Sequence, residues 1–341
     1  MSYYENLVVC YFSGTGNSLS AVNWIKENAD KQNLKTQLCS IEKKETTDLS
    51  AINGKTLVGF CYPTHGFIAP WIVLKYLWKF PKIKNADAFF LNTRGGAILY
   101  KLSIPGLSGL AQWFSIFLFL LKGYGIKGSL PLDMAHSWIS FFPPINKAGI
   151  NRITKNCNRI VNKMCDKMFS GKIYLRYNIW LSLPIDIALT PIIFLYVFGG
   201  RFVLAKTLFA SYGCNTCRLC EENCPVQAIV IKDNRPYWKI TCESCMRCMN
   251  ICPKKSIQSW VTRMALITYL LMVLGLALFK IDANLLFFII SCLFFPIYWI
   301  IFWSLRIKFV NIIFTFTSLT KLWGRYIAPG ITLKNLKRKN L

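Results

Sequence analysis

Residues 214–253 read CNTCRLCEENCPVQAIVIKDNRPYWKITCESCMRCMNICP and contain one cysteine pattern twice. Each copy has the form C-x2-C-x2-C-x3-C-P, and the second copy begins 28 residues after the first. This spacing is the bacterial signature of cysteines that hold 4Fe-4S clusters. The cysteines concerned are Cys214, Cys217, Cys220, Cys224, Cys242, Cys245, Cys248 and Cys252. Two copies predict two clusters and the transfer of single electrons.

Two other uses of cysteine fit the pattern less well. Zinc ribbons use paired C-x2-C knuckles, without a third C-x2 step or a trailing Cys-Pro. Disulfide frameworks suit secreted chains, whereas the segment from Met1 to Asn6 leads directly into a strand-like run with no cleavable signal. The six remaining cysteines are scattered and are expected to fill packing positions.

By motif and spacing, residues 211–258 resemble the bacterial two-cluster ferredoxins. In proteins with this doubled pattern, the fourth cysteine of each run ligates the other cluster. The resemblance therefore implies two ligand sets that exchange their last members. The cluster-1 set is Cys214, Cys217, Cys220 and Cys252, and the cluster-2 set is Cys242, Cys245, Cys248 and Cys224.

The composition favours a membrane over nucleic acid as the partner of this chain. Its 341 residues suffice for two or three domains, and its formal charge is +26. Such basicity suggests nucleic acid, an anionic membrane surface or an acidic partner. Because 54% of the residues are hydrophobic and 15% are aromatic, we expect an anionic lipid membrane and no nucleic acid.

The chain opens with a strand, a loop rich in glycine and hydroxyl groups, and a helix. Leu7 to Phe12 is a short apolar run that predicts a buried parallel strand, and the pattern from Leu19 to Asn28 is helical. Glycines let the backbone approach a ligand closely, and amides at a helix start bind anions. The candidate phosphate-binding residues are Ser13, Gly14, Thr15, Gly16, Asn17 and Ser18.

The dinucleotide-binding fingerprint is incomplete in this loop. It requires a third glycine, but position 19 is leucine. It also requires an acidic residue after the second strand, which here ends in Cys39 and Ser40. Nicotinamide binding of that type is therefore not expected. The hydroxyl-rich loop instead resembles the FMN phosphate loop of flavodoxins.

Strands and helices alternate through the rest of the N-terminal half. The expected strands are 34–40, 56–61, 88–92 and one within 126–134, and the expected helices are 17–29, 69–80, 98–121 and 146–169. This alternation predicts an α/β flavodoxin-like fold with a doubly wound parallel sheet. Ligands of that fold bind beyond the carboxyl ends of the strands, where the strand order reverses.

Two loops at that edge are chemically suitable for a flavin. In flavodoxin-like proteins the corresponding loops hold the isoalloxazine ring. The first loop comprises Tyr62, Pro63, Thr64, His65, Gly66 and Phe67, and the second comprises Thr93, Arg94, Gly95, Gly96 and Ala97. If Arg94 faces the ring, its charge is expected to stabilise the anionic reduced flavin. The aromatic residues and His65 are open to packing or turn roles as well, and His136 is expected to be structural.

The two halves together resemble the flavodoxin–ferredoxin fusion family of anaerobic bacteria and archaea. The resemblance spans residues 7–170 and 211–258 and implies electron transfer between FMN and the clusters, without naming a substrate. The chain departs from typical flavodoxins and ferredoxins, which are acidic, and it adds apolar segments. Residues 177–200 are broken by Pro184, Asp186 and Pro191, so an in-plane or partly buried membrane contact is expected there.

A helical membrane hairpin is expected after the clusters. The segments from Met264 to Phe279 and from Ala283 to Leu305 carry no charge, and the second is long enough to cross a hydrocarbon core. The tail from Arg306 onward has eight basic residues and no acidic one. A single span would place this tail outside, against the positive-inside rule, so two spans are predicted. Residues 309–320 would then lie along the cytoplasmic face, and the basic residues expected on anionic headgroups are Lys334, Lys337, Arg338 and Lys339.

The predicted organisation has five parts. They are a flavodoxin-like FMN domain (1–172), an apolar linker (173–210), a small α+β two-cluster ferredoxin domain (211–260), the hairpin (261–306) and a basic tail (307–341). We expect a membrane-anchored carrier linking a low-potential donor to a partner protein or a membrane-soluble acceptor, with no catalytic residue assigned. Two alternatives stay open: an FMN-dependent reductase of a quinone or other small molecule, and a flavin-free module that docks the ferredoxin.

Overall fold

The computed structural model describes residues 2–43, 54–99, 102–176, 178–278, 280 and 282–336. Three basic residues expected on lipid headgroups, Lys337, Arg338 and Lys339, lie outside these ranges. So do Phe279, the expected end of the first apolar segment, and positions 100–101 of an expected helix.

A parallel sheet organises the N-terminal half. Its strands are β1 (Asn6–Tyr11), β2 (Lys35–Ser40), β3 (Thr56–Pro63), β4 (Ala86–Leu99), β5 (Leu102–Ile104), β6 (Gly125–Ala135) and β7 (Tyr174–Leu175). The order is β2-β1-β3-β4-β6-β7, and every neighbouring pair on this path is parallel. β5 pairs antiparallel with the end of β4. The strand order is that of flavodoxin-like proteins and confirms the predicted doubly wound sheet.

Helices cover both faces of this sheet. They are α1 (Asn17–Lys31), α2 (Trp71–Lys79), α3 (Leu110–Leu121) and α4 (Lys147–Phe169). One hydrophobic cluster lies under α1 and α4 and includes Val9, Ile25 and Val161, and a second lies under α2 and α3 and includes Phe60 and Phe119. Burial on both faces explains why the central strands read as continuous apolar runs.

The expected helix at 98–121 is wrong in its first half. β4 continues to Leu99, and β5 returns along it with Ala97 opposite Ile104. Helix α3 begins only at Leu110, after Pro105, Gly106 and Gly109. Proline and glycine disfavour a helical start before that point, and Gly109 has φ of 54°. The fourth strand is therefore longer than the sequence indicates.

In the described residues 178–206, the apolar linker forms four short helical segments. They are α5 (Asn178–Ala188), α6 (Thr190–Leu195), a π-helical turn (Tyr196–Gly200) and α7 (Arg201–Lys206). The part from Ser182 to Lys206 bends by 48° at a break after Ala188. Several of its apolar side chains are exposed: Ile185, Ile187, Ile192, Phe194, Leu195 and Phe198.

The cysteine region is a compact α+β unit of two similar halves. Its elements are β8 (Leu208–Ala210), α8 (Leu219–Glu222), β9 (Ile229–Lys232), β10 (Arg235–Trp238), α9 (Arg247–Ile251) and β11 (Ile257–Ser259). β8 pairs antiparallel with β11, and β9 pairs antiparallel with β10. The two cysteine runs therefore lie between paired strands that hold the unit together.

In the described residues that follow, the helices are α10 (Val261–Ala277), α11 (Ala283–Ser304), α12 (Lys308–Phe316), α13 (Leu319–Leu322) and α14 (Leu333–Leu336). Among the described residues, α11 is the single unbroken helix long and apolar enough to cross a membrane. The bent pair Ser182–Ala188 and Thr190–Lys206 passes the same test only when taken together. α10 is apolar but shorter, with 17 residues, and it contacts α11.

Candidate cofactor sites

The eight motif cysteines gather into two groups. The members of the cluster-1 set line one cavity beside β10: Cys214, Cys217, Cys220 and Cys252. In the other group, the thiols of Cys242, Cys245 and Cys224 each raise the pKa of Cys248, after the larger effect of burial. This grouping is compatible with exchange of the fourth cysteine between the two runs.

The backbone wraps both groups in the same way. Thr216 and Arg218 have φ of 54° and 59°, and their counterparts Ser244 and Met246 have φ of 49° and 59°. Non-glycine residues rarely adopt this left-handed conformation, which costs roughly 1–2 kcal/mol at each position. The conformation recurs 28 residues apart because each loop must turn three cysteines toward one point.

The donor set suits a cluster better than a single ion. Burial, then the neighbouring thiols of Cys214 and Cys252, raise the pKa of Cys220 to about 12. Such thiols become thiolates only beside a strong positive charge, which an iron core supplies. In the described part of the chain, no three His, Cys, Asp or Glu side chains converge closely enough for one metal ion. Zinc draws its ligands onto a single centre, whereas a cubane spreads four thiolates over its corners.

The predicted phosphate loop forms a buried cradle of donors. Ser13, Thr15 and Ser18 are 3% exposed or less. Ser13 Oγ accepts the N–H of Leu19 at 3.2 Å, and Ser18 Oγ lies 3.1 Å from Thr93 Oγ1. Within the described ranges, five successive backbone N–H groups find no acceptor, those of Gly14, Thr15, Gly16, Asn17 and Ser18. Buried amides normally have a partner, so this loop fits a phosphate.

The predicted first loop begins inside β3, which runs to Pro63, and only Thr64 to Phe67 follow the strand. Tyr62 is fully buried, and its hydroxyl lies 2.8 Å from both Ala111 O and Ser115 Oγ on α3. Its ring therefore has no free face for a flavin, contrary to the expected contact. His65 is partly buried, and its removal from water lowers its pKa to about 4, although a hydrogen bond to the Glu243 backbone opposes the shift. His65 Nδ1 has no partner within the described residues.

The rest of this loop is occupied by neighbours from the linker and β4. Gly66 has φ of 55°, and the ring of Tyr196 fills the space that a side chain would need. Thr64 Oγ1 accepts from Asn92 Nδ2 at 2.7 Å. Asn92 Oδ1 is buried and, like His65 Nδ1, lacks a partner in the part of the chain described. Two orphaned polar atoms at the strand reversal leave hydrogen-bonding capacity for a ligand there.

The predicted second loop lies inside β4, which runs to Leu99, and an ion pair holds this part of the strand. Arg94 Nε donates to Asp133 Oδ1 at 2.7 Å, and Arg94 Nη1 donates to Ser108 Oγ at 3.2 Å. Arg94 is 6% exposed, so Asp133 compensates its charge inside the fold. Arg94 is therefore not the free positive charge that was expected beside a flavin. His136, expected to be structural, lies against Gly95.

An arginine within the second cysteine run connects the two domains. Arg247 is 1% exposed and forms two hydrogen bonds with the Glu42 carboxylate, at 2.7 and 2.9 Å. It also donates to the carbonyls of Ser13 and Gly14 in the phosphate loop, at 2.6 and 2.9 Å. Sequence reasoning missed Arg247 and Glu42. The one available signal was that arginine occupies a position where the first run has Leu219.

A second residue of the same run caps a helix of the flavodoxin-like domain. The carboxylate of Glu243 accepts the N–H groups of Trp71 and Ile72, both at 3.0 Å. These amides open α2, where an anionic side chain is favourable. The sequence analysis did not identify Glu243 either, because the helix that it caps lies 171 residues away.

The chain after the last apolar helix returns to the phosphate loop. Tyr326 Oη donates to Asn17 Oδ1 at 2.6 Å, and the N–H of Ala328 donates to Thr15 O at 2.9 Å. Gly16 has φ of 104° and packs against Ala328 and Ile331. The phosphate loop is thus enclosed by the cysteine domain on one side and the C-terminal segment on the other.

Comparisons with known proteins agree with this division. Residues 213–257 match the family described as 4Fe-4S dicluster domain. A search of curated proteins by sequence found no match. Similar solved structures include a flavodoxin from the domain Archaea (13% identity, TM-score 0.31, 48% of this chain and 97% of that one). Flavodoxin 1 from Bacillus cereus has 13% identity and TM-score 0.32, with 47% and 97% covered.

A Streptococcus pneumoniae TIGR4 flavodoxin shows 11% identity and TM-score 0.30, covering 46% of this chain and 98% of its own. Each similarity covers under half of the present chain, so the fold assignment rests on the strand order described above. The dicluster match implies two 4Fe-4S clusters. The chain therefore combines a flavodoxin-like domain with a 4Fe-4S dicluster domain, an arrangement suited to electron transfer.

Proposed function

We propose that this protein passes single electrons between FMN and two 4Fe-4S clusters while anchored to a membrane. The observation that carries the proposal is the contact between the cluster-2 loop and the phosphate loop. A Cβ added to Gly14 would lie 2.6 Å from the carbonyl oxygen of Cys245 and 3.1 Å from its Cβ. Glycine allows the two loops to touch, and this contact supports a short path between the two cofactors.

The chain's own residues would hold FMN by its phosphate. The free N–H groups of residues 14–18 and the Thr15 hydroxyl would bind the phosphate without an added positive charge. His65 and Asn92 would present their unpartnered atoms to the ring. When bound, FMN supplies the exchange between two-electron and one-electron chemistry. The protein contributes the orientation, and the buried pair of Arg247 and Glu42 fixes the spacing.

The cluster-1 set is the expected point of exchange with an external partner. Cys217 is exposed, and the cavity that this set lines opens at the surface of the dicluster domain. The cluster-2 set is more enclosed, with Cys224, Cys242 and Cys248 buried. A redox partner protein or a membrane-soluble acceptor would therefore meet cluster 1, while cluster 2 serves the flavin.

A membrane hairpin fits the contacts at both ends of the apolar pair. α10 starts directly after β11, and the chain beyond α11 returns to the same domain. Asn311 Nδ2 donates to Ala210 O at 3.0 Å, and the N–H of Ser259 donates to Thr320 Oγ1 at 3.3 Å. At 1.5 Å per residue the helices are about 26 and 33 Å long. Both ends of the pair thus lie on one side, which supports the cytoplasmic placement of all cofactors.

The cofactor content tests the redox part of the proposal. We expect anaerobic purification in detergent to yield about eight iron atoms, eight sulfides and one FMN per chain. Thr15→Val should lower FMN retention without changing iron, because it removes a hydroxyl from the cradle. Thr36→Val on β2, whose hydroxyl donates to Leu34 O, is the matched control. Full iron with no flavin would select the docking-module alternative, and about one zinc would reject both.

Protease access tests the membrane part. A cleavage site introduced after Lys280, in the α10–α11 connection, should be cut only from outside in sealed vesicles. A second site introduced after Leu336 should be cut only from the cytoplasmic side. Cleavage of both sites from one side would exclude a spanning hairpin.

A further inference from the structure

A cavity lies where the dicluster domain meets the C-terminal end of α11. Its walls come from β8, β10 and the last turn of α11. Three cations line it, Lys206, Arg235 and Arg306, beside the aromatic residues Tyr237 and Phe302. Pro236 also lines the cavity of the cluster-1 set, so the two cavities are neighbours.

The cations of this cavity have no carboxylate partner among the described residues. Arg235 Nη1 donates once, to Ala210 O at 3.0 Å, and the Arg306 guanidinium makes no hydrogen bond in the same part of the chain. A guanidinium carries five N–H donors, so most of these remain free for an anion.

Aromatic rings hold the two arginines in place. The Arg235 guanidinium lies 3.3 Å from the ring centre of Tyr212. The Arg306 guanidinium lies 3.8 Å from the ring centre of Trp303 and 5.4 Å from that of Tyr237. Stacked guanidinium groups keep their edges available for bidentate binding of phosphate. The cavity is therefore a prepared site for a phosphate group.

The position of the cavity identifies the source of that phosphate. It lies at the end of the helix that can cross a membrane, where Trp299 and Trp303 are 45% and 53% exposed. Tryptophan is enriched at the level of lipid headgroups, and basic pockets at helix ends on the cytoplasmic side bind anionic headgroups. A concave site admits a headgroup, whereas an acidic protein partner would need a broader face.

From these observations we infer that the cavity binds the phosphate headgroup of an anionic phospholipid. The inference rests on the proposed membrane hairpin. Binding would fix the dicluster domain at the membrane surface and hold cluster 1 beside the headgroup layer. A membrane-soluble acceptor would then meet the exposed cluster without leaving the lipid.

The test uses the full chain purified with its clusters and reconstituted in nanodiscs or detergent. Native mass spectrometry would count phosphatidylglycerol and phosphatidylcholine retained per chain, with inorganic phosphate as competitor. We expect one tightly held phosphatidylglycerol, weakened roughly tenfold or more in the double variant Arg235→Gln/Arg306→Gln. Arg152→Gln, an exposed cation on α4, is the matched control and should change nothing. Iron content and the cluster EPR signal confirm that each variant is folded.

The possible outcomes distinguish failure of the headgroup site from failure of the membrane hairpin. Equal retention of both lipids, or an unchanged affinity in the double variant, would overturn the headgroup site while leaving the hairpin intact. Displacement by millimolar inorganic phosphate would reassign the cavity to a small soluble phosphate compound. Failure of the wild-type chain to insert into bilayers at all would instead refute the hairpin.

Discussion

The two halves of the dicluster domain share a sequence pattern and a backbone, but they differ in what surrounds them. The left-handed residues of the first loop recur in the second, and each set of four cysteines is drawn from both runs. Leu219 of the first run lines the cluster-1 cavity, whereas its counterpart Arg247 is buried between the domains. Similarly, Asn215 corresponds to Glu243, which caps α2.

This difference shows how a symmetric motif acquires two roles. Local spacing determines the ligand loop, since it sets where three cysteines can turn toward one cluster. The residues between the cysteines determine what each loop contacts. Two substitutions relative to the first run, Arg247 and Glu243, join the second loop to the flavodoxin-like domain. The cluster-1 set is left at the surface, and the loop of the cluster-2 set contacts the phosphate loop.

Removal of one ligand from each set gives the largest expected effect. Both Cys217→Ala and Cys248→Ala should lower iron from about eight to about four atoms per chain. Cys248→Ala should also release FMN and expose the domain interface to protease, because the cluster-2 loop touches Gly14. Cys217→Ala should keep FMN, because its cysteine is at the surface. Iron, sulfide and flavin analysis with limited proteolysis measures all three.

Cys292→Ala is the control for these variants, since Cys292 is exposed on α11 and outside both sets. It should retain full iron and flavin. If Cys217→Ala and Cys248→Ala lost FMN to the same extent, the two halves would not differ in the way that the contacts indicate.

The second largest effect is expected from Arg247→Met, which should destabilise the protein far more than the corresponding change in the first run. It would leave the Glu42 carboxylate buried without its partner, which typically costs about 3–5 kcal/mol. Arg218→Met in the first run removes an exposed pair with Glu221 and should leave the free energy of unfolding almost unchanged. Thermal or urea unfolding of the purified chain in detergent compares the two free energies of unfolding.

The double variant Arg247→Met/Glu42→Gln distinguishes charge from packing. Removing the uncompensated carboxylate should recover part of the lost stability. An Arg247→Met variant as stable as Arg218→Met would show that the interface does not depend on this arginine.

Features that depend on local sequence patterns could be predicted, whereas contacts between residues far apart in the sequence could not. The sheet and the grouping of cysteines depend on strand patterns and loop spacing, so the sequence predicts them. Tyr62 was predicted to contact a flavin because it follows the expected strand 56–61, but its hydroxyl is hydrogen-bonded to Ser115 on α3. Arg247 and Glu42 are 205 residues apart, and only the tertiary structure brings them together. Contacts between domains were therefore invisible, although they decide which cluster faces the flavodoxin-like domain.

Acid should lower the free energy of unfolding because His65 becomes protonated more readily in the unfolded chain than in the folded one. Folded His65 binds a proton only near pH 4, whereas an unfolded histidine does so near its ordinary value of 6.5. The unfolded chain therefore binds more protons between these values, and stability is full above pH 6.5 and falls toward pH 4. The loss from this group reaches about 3 kcal/mol at the acid end. Unfolding measured from pH 7.5 to 4.5 checks the slope.

His65→Gln is the matched variant for the pH measurement, because it removes the titration and keeps a polar side chain. Its stability should fall less steeply with acid than that of the wild type. His136, whose pKa burial also lowers, contributes a slope of the same sign in both proteins. An unchanged slope in His65→Gln would assign the acid sensitivity elsewhere.

Tyr326→Phe should give the smallest effect. It tests whether the C-terminal segment covers the phosphate loop. It removes the 2.6 Å hydrogen bond to Asn17 Oδ1, while Asn17 Nδ2 keeps its bond to Ala135 O. One such bond contributes about 1 kcal/mol, so FMN affinity should fall several-fold while iron content stays unchanged. Flavin fluorescence titration of the deflavinated protein measures this affinity.

Tyr212→Phe is the control. The Tyr212 hydroxyl lies 3.4 Å from Arg306 O and is remote from the phosphate loop, so this variant should leave the FMN affinity unaltered. A fall in both variants would indicate general loosening rather than a cover over the phosphate loop.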